Sequence, residues 1–193
     1  MDSAEVDTVI TGARYVLTCD DTGSVHERAG IAVRDGRIVA VGDVESFDAH
    51  RRIDATNCLV LPGLINLHTH LPMTLLRGVA ENVDLQGFLE RVWAEEARIM
   101  GPEGTYLGAR LGSLEALLGG TTTALDMYFH PESAHRGAVE VGIRHAIGRS
   151  SSISQDPTGS NGRSGSTLRS DGRRFSTPWV VRTYRGSSCR TAR

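Results

Sequence analysis

Along the first third of the chain, apolar side chains recur at short, strand-like intervals, and the period changes near residue 62. Residues 8–18 are rich in Val, Ile, Tyr and Thr, and an apolar run at 30–33 leads through Asp35-Gly36 into another at 37–41. Asp-Gly between two such runs predicts a two-residue type I′ hairpin, because that turn needs positive φ at both central positions. Residues 1–61 are therefore expected to form a small β-sandwich or half-barrel.

Residues 59–67 form a nearly continuous apolar run, the pattern of a strand buried on both faces of a parallel sheet. Beyond it, Leu85, Phe88, Leu89, Val92 and Ile99 fall near one side of a helix over 84–100. Pro102-Glu103 opens a second helix, which reaches Leu118 before Gly119-Gly120 stops it. A buried strand at 121–129, a helix at 132–141 and the start of another strand at 143–147 follow. Strands alternating with helices are the signature of βα units.

Composition divides the chain again. Its 193 residues carry 21 basic and 23 acidic side chains, a net charge of −2, and every basic residue is Arg. Residues 1–148 hold 12 Arg and 21 acids, whereas residues 149–193 hold 9 Arg and 2 Asp. Of those last 45 residues, 11 are Ser and only 9 are apolar, a composition that buries too little surface to offset chain entropy. An irregular, disordered Arg/Ser-rich tail is expected there. A one-base frameshift near codon 149 is the expected origin of this composition: if the serines use TCN and the arginines CGN codons, a shifted frame of residues 149–159 can encode an apolar strand followed by a Pro/Gly loop.

Cys19, Cys58 and Cys189 lie far apart without a Cys-x-x-Cys pair, which argues against a disulfide framework or a thiolate zinc site and suits a cytoplasmic location. The acidic N-terminus does not resemble a secretory signal, and the longest apolar stretch is interrupted by Pro62, Gly63 and Asn66, so no membrane association is expected.

The chemistry-bearing segment is Pro62-Gly63-Leu64-Ile65-Asn66-Leu67-His68-Thr69-His70. On a strand, residues i and i+2 project to the same face, so His68 and His70 leave the strand end together and can supply two adjacent ligands to a transition metal. His26, His50, His135 and His145 have no partner at ligand spacing and read as surface or structural residues. His130 is expected to line a pocket without being a ligand, and Asp126 to hold loops by hydrogen bonds.

With this segment, Pro72-Met73-Thr74-Leu75-Leu76-Arg77-Gly78, Trp93-Ala94-Glu95-Glu96, Gly120-Thr121-Thr122-Thr123 and Asp126-Met127-Tyr128-Phe129-His130 follow in order. Over residues 8–148 the chain thereby resembles the metal-dependent amidohydrolases, in the branch of triazine hydrolases and nucleoside, guanine and cytosine deaminases. The resemblance implies an α/β fold: a small β-sandwich over 1–61, the first βα units of a truncated (β/α)8 TIM barrel over 62–148, and the irregular tail over 149–193. It implies His68 and His70 as metal ligands, with zinc as the first choice of divalent metal and iron as the second. It makes Glu96 the substrate-binding residue, although Ala94 stands where the family usually has Pro. A solvated acid on an amphipathic helix is the alternative for Glu96.

The implied reaction is hydrolysis of carbon–nitrogen bonds other than peptide bonds, in a small aminopurine, nucleoside, pyrimidine or triazine. Family members complete the site with histidines on later strands and an aspartate on the eighth, so the catalytic residues are expected to be missing and the chain to be an inactive fragment. An intact member is expected to be open to homo-oligomerisation. Two other readings are a nucleic-acid-binding module using the basic tail, which the frame argument disfavours, and the N-terminal half of a split enzyme.

Overall fold

The computed structural model describes residues 5–148, 179–183 and 191–192. The chain divides into two compact units, one comprising Met1–Gly63 with Arg174–Arg193 and the other Leu64–Arg173.

The first unit is a seven-stranded sheet built around the long strand β1, Glu5–Leu17. β2, Val25–Arg34, pairs with it antiparallel, and β3, Arg37–Gly42, pairs with β2 through the expected hairpin. Asp35 and Gly36 take φ of 51° and 66°, the two positive values that a type I′ turn requires. On its other edge β1 branches. Residues 5–11 pair parallel with β4, Asp48–Asp54, while Tyr15 and Val16 pair parallel with β5, Cys58–Pro62. The register shift between Ile10 and Ala13 brackets Gly12, whose φ is 69°. Ile10, Ala13, Val16, Ala29, Ile31, Ala55, Cys58 and Val60 form one apolar cluster, and Val6, Val9, Ala32 and Val44 form another.

The second unit follows the order β-α-α-β-α-β. β6, Leu64–Thr69, leads through a 3₁₀ helix, Leu71–Leu76, to α1, Leu85–Ile99, and α2, Pro102–Leu118. β7, Thr121–Met127, α3, Pro131–Glu140, and β8, Arg144–Gly148, complete it. β6, β7 and β8 form a three-stranded parallel sheet in that order. Each helix begins as its residues dictate. The Asp84 carboxylate caps α1 by accepting from the Gly87 N–H at 2.8 Å, and proline stands in the first turn of α2 and α3.

Three features differ from the expectations. The apolar run 59–67 is two strands in different sheets, because the chain changes sheets at Gly63. Its second half is not buried on both faces: Ile65 is 65% and Leu67 71% exposed, since β6 is an edge strand pairing with β7 alone. The buried residues of α1 are Val92 and Glu96, followed by Met100 just past its end, rather than a stripe starting at Leu85, because the cluster of Leu76, Val92, Met100 and Tyr128 reaches only the later turns.

The expected irregular tail also contains β9, Trp179–Thr183, antiparallel to β5, and β10, Thr191–Ala192, antiparallel to β9. The Trp-Val-Val-Arg-Thr run has strong strand propensity and meets a sheet edge that β5 would otherwise leave open. The rest of that tail, including the stretch bearing the frameshift argument, lies outside the described residues.

Candidate metal centre

His68 lies within β6 and His70 is the first residue beyond it, where the chain enters the 3₁₀ helix. The position of that helix is set by glycine. A Cβ on Gly108 of α2 would stand 2.5 Å from the Pro72 carbonyl oxygen, and one on Gly112 would stand 2.6 Å from the Leu71 carbonyl oxygen. Only hydrogen at these two positions lets α2 approach the backbone immediately after His70 so closely.

The His68 and His70 rings lie with centroids 5.3 Å apart and planes inclined at 75°. His70 Nδ1 is 2.7 Å from the Met127 carbonyl oxygen at the end of β7. A carbonyl can only accept, so Nδ1 carries the proton and the Nε2 lone pair remains for a metal, the arrangement usual for ligating histidines.

Next to His70 lies the Tyr128 ring, 6.3 Å away between centroids. Its hydroxyl donates to Glu96 Oε1 at 2.6 Å, and both residues are buried. Glu96 is 4% exposed, which removes the alternative of a solvated acid. Burial raises its carboxyl above the ordinary glutamate range, against the Tyr128 hydrogen bond and the electrostatic influence of nearby His70, which both favour the ionised form. Burial first, and then the hydrogen bond to Glu96, pushes the Tyr128 phenol far up, so it serves as a donor throughout the working pH range.

Beneath the histidines, Asp126 Oδ1 accepts from the Leu71 N–H at 3.3 Å and the Met127 N–H at 2.8 Å. His145 Nε2 lies 3.3 Å from Asp126 Oδ2, and both side chains are fully buried. His145 Nδ1 in turn meets His135 Nδ1 at 3.2 Å. Of the two readings for His145, surface or structural, it takes the second: an interior residue on β8 facing a carboxylate on β7. His50 is at the surface beside Glu5, at 3.4 Å, and His26 lies in β2. His130 takes φ of 45° and caps α3 with its carbonyl, which accepts from Ser133 and Ala134.

The structure therefore brings His68 and His70 together and connects Glu96 to them through Tyr128. Tyr128 and the Asp126–His145 pair were not singled out by spacing, because the partners stand 32 and 19 residues apart. The fit to a metal is partial. Two imidazoles are half of a four-coordinate site, and among the described residues no cluster of three or more His, Cys, Asp or Glu could hold an ion.

The model of the amidohydrolase family matches residues 59–174. The chain is 38% identical over 144 residues to a 5-methylthioadenosine/S-adenosylhomocysteine deaminase of Saccharophagus degradans, covering 72% of this chain and 32% of that protein. It is 40% identical over 141 residues to a 5'-deoxyadenosine deaminase of Methanothermobacter thermautotrophicus, covering 72% and 32%. An adenosine deaminase of Xanthomonas campestris, solved with bound zinc, superposes with a TM-score of 0.69 at 35% identity, covering 74% of this chain and 34% of that one. Atrazine chlorohydrolase of Arthrobacter aurescens, complexed with zinc, gives a TM-score of 0.70 at 32% identity, covering 81% and 38%. The chain spans about a third of the length of these relatives.

Proposed function

Because the chain belongs to the amidohydrolase family, we propose that His68 and His70 are two of the ligands to one divalent metal, zinc first, in a hydrolase that deaminates small aminopurine nucleosides. A metal bound there would supply acidified water for attack on an electron-poor ring carbon. The chain's own residues hold the site in readiness. The Met127 carbonyl fixes the His70 ring so that Nε2 is the ligating nitrogen. Tyr128 occupies one oxygen of Glu96, leaving the other to accept from a substrate hydroxyl or amine.

The observation that carries this reading is the pair of imidazoles at the C-terminal end of β6 with the His70 Nδ1 proton already committed. The deaminase relatives, matched over the same segment, support the substrate class. A cytoplasmic setting is supported by the free thiols of Cys19 and Cys58. Among the described residues, no helix is long and apolar enough to cross a membrane.

The test is zinc titration of the 193-residue chain followed by ¹⁵N NMR of the imidazoles, with ammonia release from 5′-methylthioadenosine measured in parallel. Two ligands should give weak binding that His68→Ala abolishes, without turnover. A chain with the frame restored at codon 149 should bind zinc stoichiometrically and release ammonia. Zinc binding that is indifferent to both His68→Ala and His70→Ala overturns the ligand assignment. Chelator-sensitive ammonia release by the 193-residue chain overturns the need for further ligands.

A further inference from the structure

We propose that Asp126 is a positioning residue for His70: its carboxylate fixes the two backbone segments that set the orientation and tautomer of the His70 ring, and so aims Nε2 outward. The inference rests on the reading of His70 as a ligand and adds what holds that ligand in place.

The geometry forms a closed circuit. His70 Nδ1 donates to the Met127 carbonyl at 2.7 Å. The N–H of the same Met127 donates to Asp126 Oδ1 at 2.8 Å, and that oxygen also accepts from the N–H of Leu71, the residue directly after His70, at 3.3 Å. One carboxylate oxygen thus holds both the backbone that carries the His70 ring and the residue that supplies its acceptor. The ladder between β6 and β7 becomes irregular between Asn66 and Thr69, and Thr69 stands opposite Asp126. Where regular strand pairing gives way, the side chain takes over as the tie.

The second oxygen is held from β8 by His145, with both side chains fully buried. That contact restricts rotation of the carboxylate and leaves Oδ1 facing the two N–H groups. All three parallel strands therefore tie into Asp126: β6 through Leu71 just past its end, β7 through Asp126 itself and β8 through His145 near its start. A bond from a carbonyl or carboxylate to the outer nitrogen of a ligating histidine selects its tautomer and is felt in metal affinity. Here the carbonyl is the direct partner and Asp126 places it.

The test is two-bond ¹H–¹⁵N NMR of the metal-free 193-residue chain at neutral pH. His70 should appear as a single Nδ1–H tautomer. In Asp126→Ala that signature should give way to an averaged or Nε2–H ring, whereas Asp126→Asn, which keeps an oxygen to accept from Leu71 and Met127, should retain it. Retention of the pure Nδ1–H tautomer in Asp126→Ala overturns the inference. Should the alanine variant not fold, an averaged or Nε2–H ring in the wild type or in Asp126→Asn overturns it equally. Zinc is added in a separate arm, where Asp126→Ala should weaken binding about 10- to 100-fold. A wild-type His70 Nε2 that zinc does not move, with its Nδ1–H tautomer intact, sinks the ligand reading and leaves the positioning result standing.

Discussion

The two units spend their interiors differently. The N-terminal unit buries Ile10, Val16, Ile31 and Val60 in an aliphatic cluster. Among the described residues, every buried polar or charged one, namely Glu96, Thr105, Ser113, Thr122, Asp126 and His145, belongs to the βα unit. Aliphatic burial is non-directional and stabilises in proportion to area, whereas a buried carboxylate or imidazole stabilises only if each lone pair and proton finds a partner. The first unit is thus built for cohesion. The second holds its buried charged and imidazole groups in hydrogen bonds: Asp126 with Leu71, Met127 and His145, and Glu96 with Tyr128.

The comparison breaks first on substitutions of matched burial. Ile31→Val should cost about 0.5–1.5 kcal/mol and Ile31→Ala about 2–5 kcal/mol, tracking the volume removed. Asp126→Leu keeps volume and adds apolar surface, yet it should cost about 3 kcal/mol or more, because the Leu71 and Met127 N–H groups and His145 lose their acceptor. Asp126→Asn should cost distinctly less. Urea midpoints followed by far-UV circular dichroism check this, and a βα unit indifferent to Asp126→Leu would erase the distinction between the units.

Glu96 sharpens it through pH. Burial raises its carboxyl above the ordinary glutamate range, so the folded chain keeps that proton over a span in which the unfolded chain has already released it. The sign follows: the Glu96 contribution is fullest below the ordinary glutamate range and is lost as pH rises through the raised value. Glu96→Gln should remove this decline. Tyr128→Phe deletes the hydrogen bond that favours the ionised form and should move the end of the decline to higher pH. Midpoints measured across the acidic range decide, and a Tyr128→Phe shift in the opposite direction would contradict the account.

How much of this the sequence makes legible depends on the range of the interaction. The Asp35-Gly36 turn, the Pro102 start of α2 and its stop at Gly119 are set by neighbours within a few residues, and all stand as read. His68 and His70 share a strand end, so their meeting is local too. The break at Gly63 and the exposure of β6 depend on which sheet each half joins, and an apolar run carries no record of that. Tyr128 with Glu96, and His145 with Asp126, meet across different elements. Spacing is silent about such pairs, and the choice between a surface and a structural His145 is made only when β8 is laid beside β7.

A smaller gain comes from the one buried side-chain polar atom that, among the described residues, has no partner, the Ser113 hydroxyl on α2. Ser113→Ala removes a desolvated donor and raises helix propensity, so it should stabilise the βα unit by about 0.5–1.5 kcal/mol. A destabilised alanine variant would show that the hydroxyl has a structural partner after all.

The smallest effect tests whether polarity in the βα unit matters by itself or only when buried. Arg77, just past the 3₁₀ helix, meets Glu115 of α2 in a two-pronged ion pair, Nη1 to Oε1 at 3.3 Å and Nη2 to Oε2 at 2.6 Å. The guanidinium raises no desolvation problem, since its side chain is 70% exposed. Each charge keeps most of its water, and an exposed pair of this kind contributes little to stability. Arg77→Ala should therefore shift the urea midpoint only slightly. The shift should disappear at about 1 M salt, where the screening length falls to roughly 3 Å. Arg77→Lys should recover part of it, because a point charge cannot reproduce the fork on both carboxylate oxygens. A salt-independent loss as large as that of Asp126→Leu would mean that this exposed contact secures the segment after His70 as much as the buried carboxylate does.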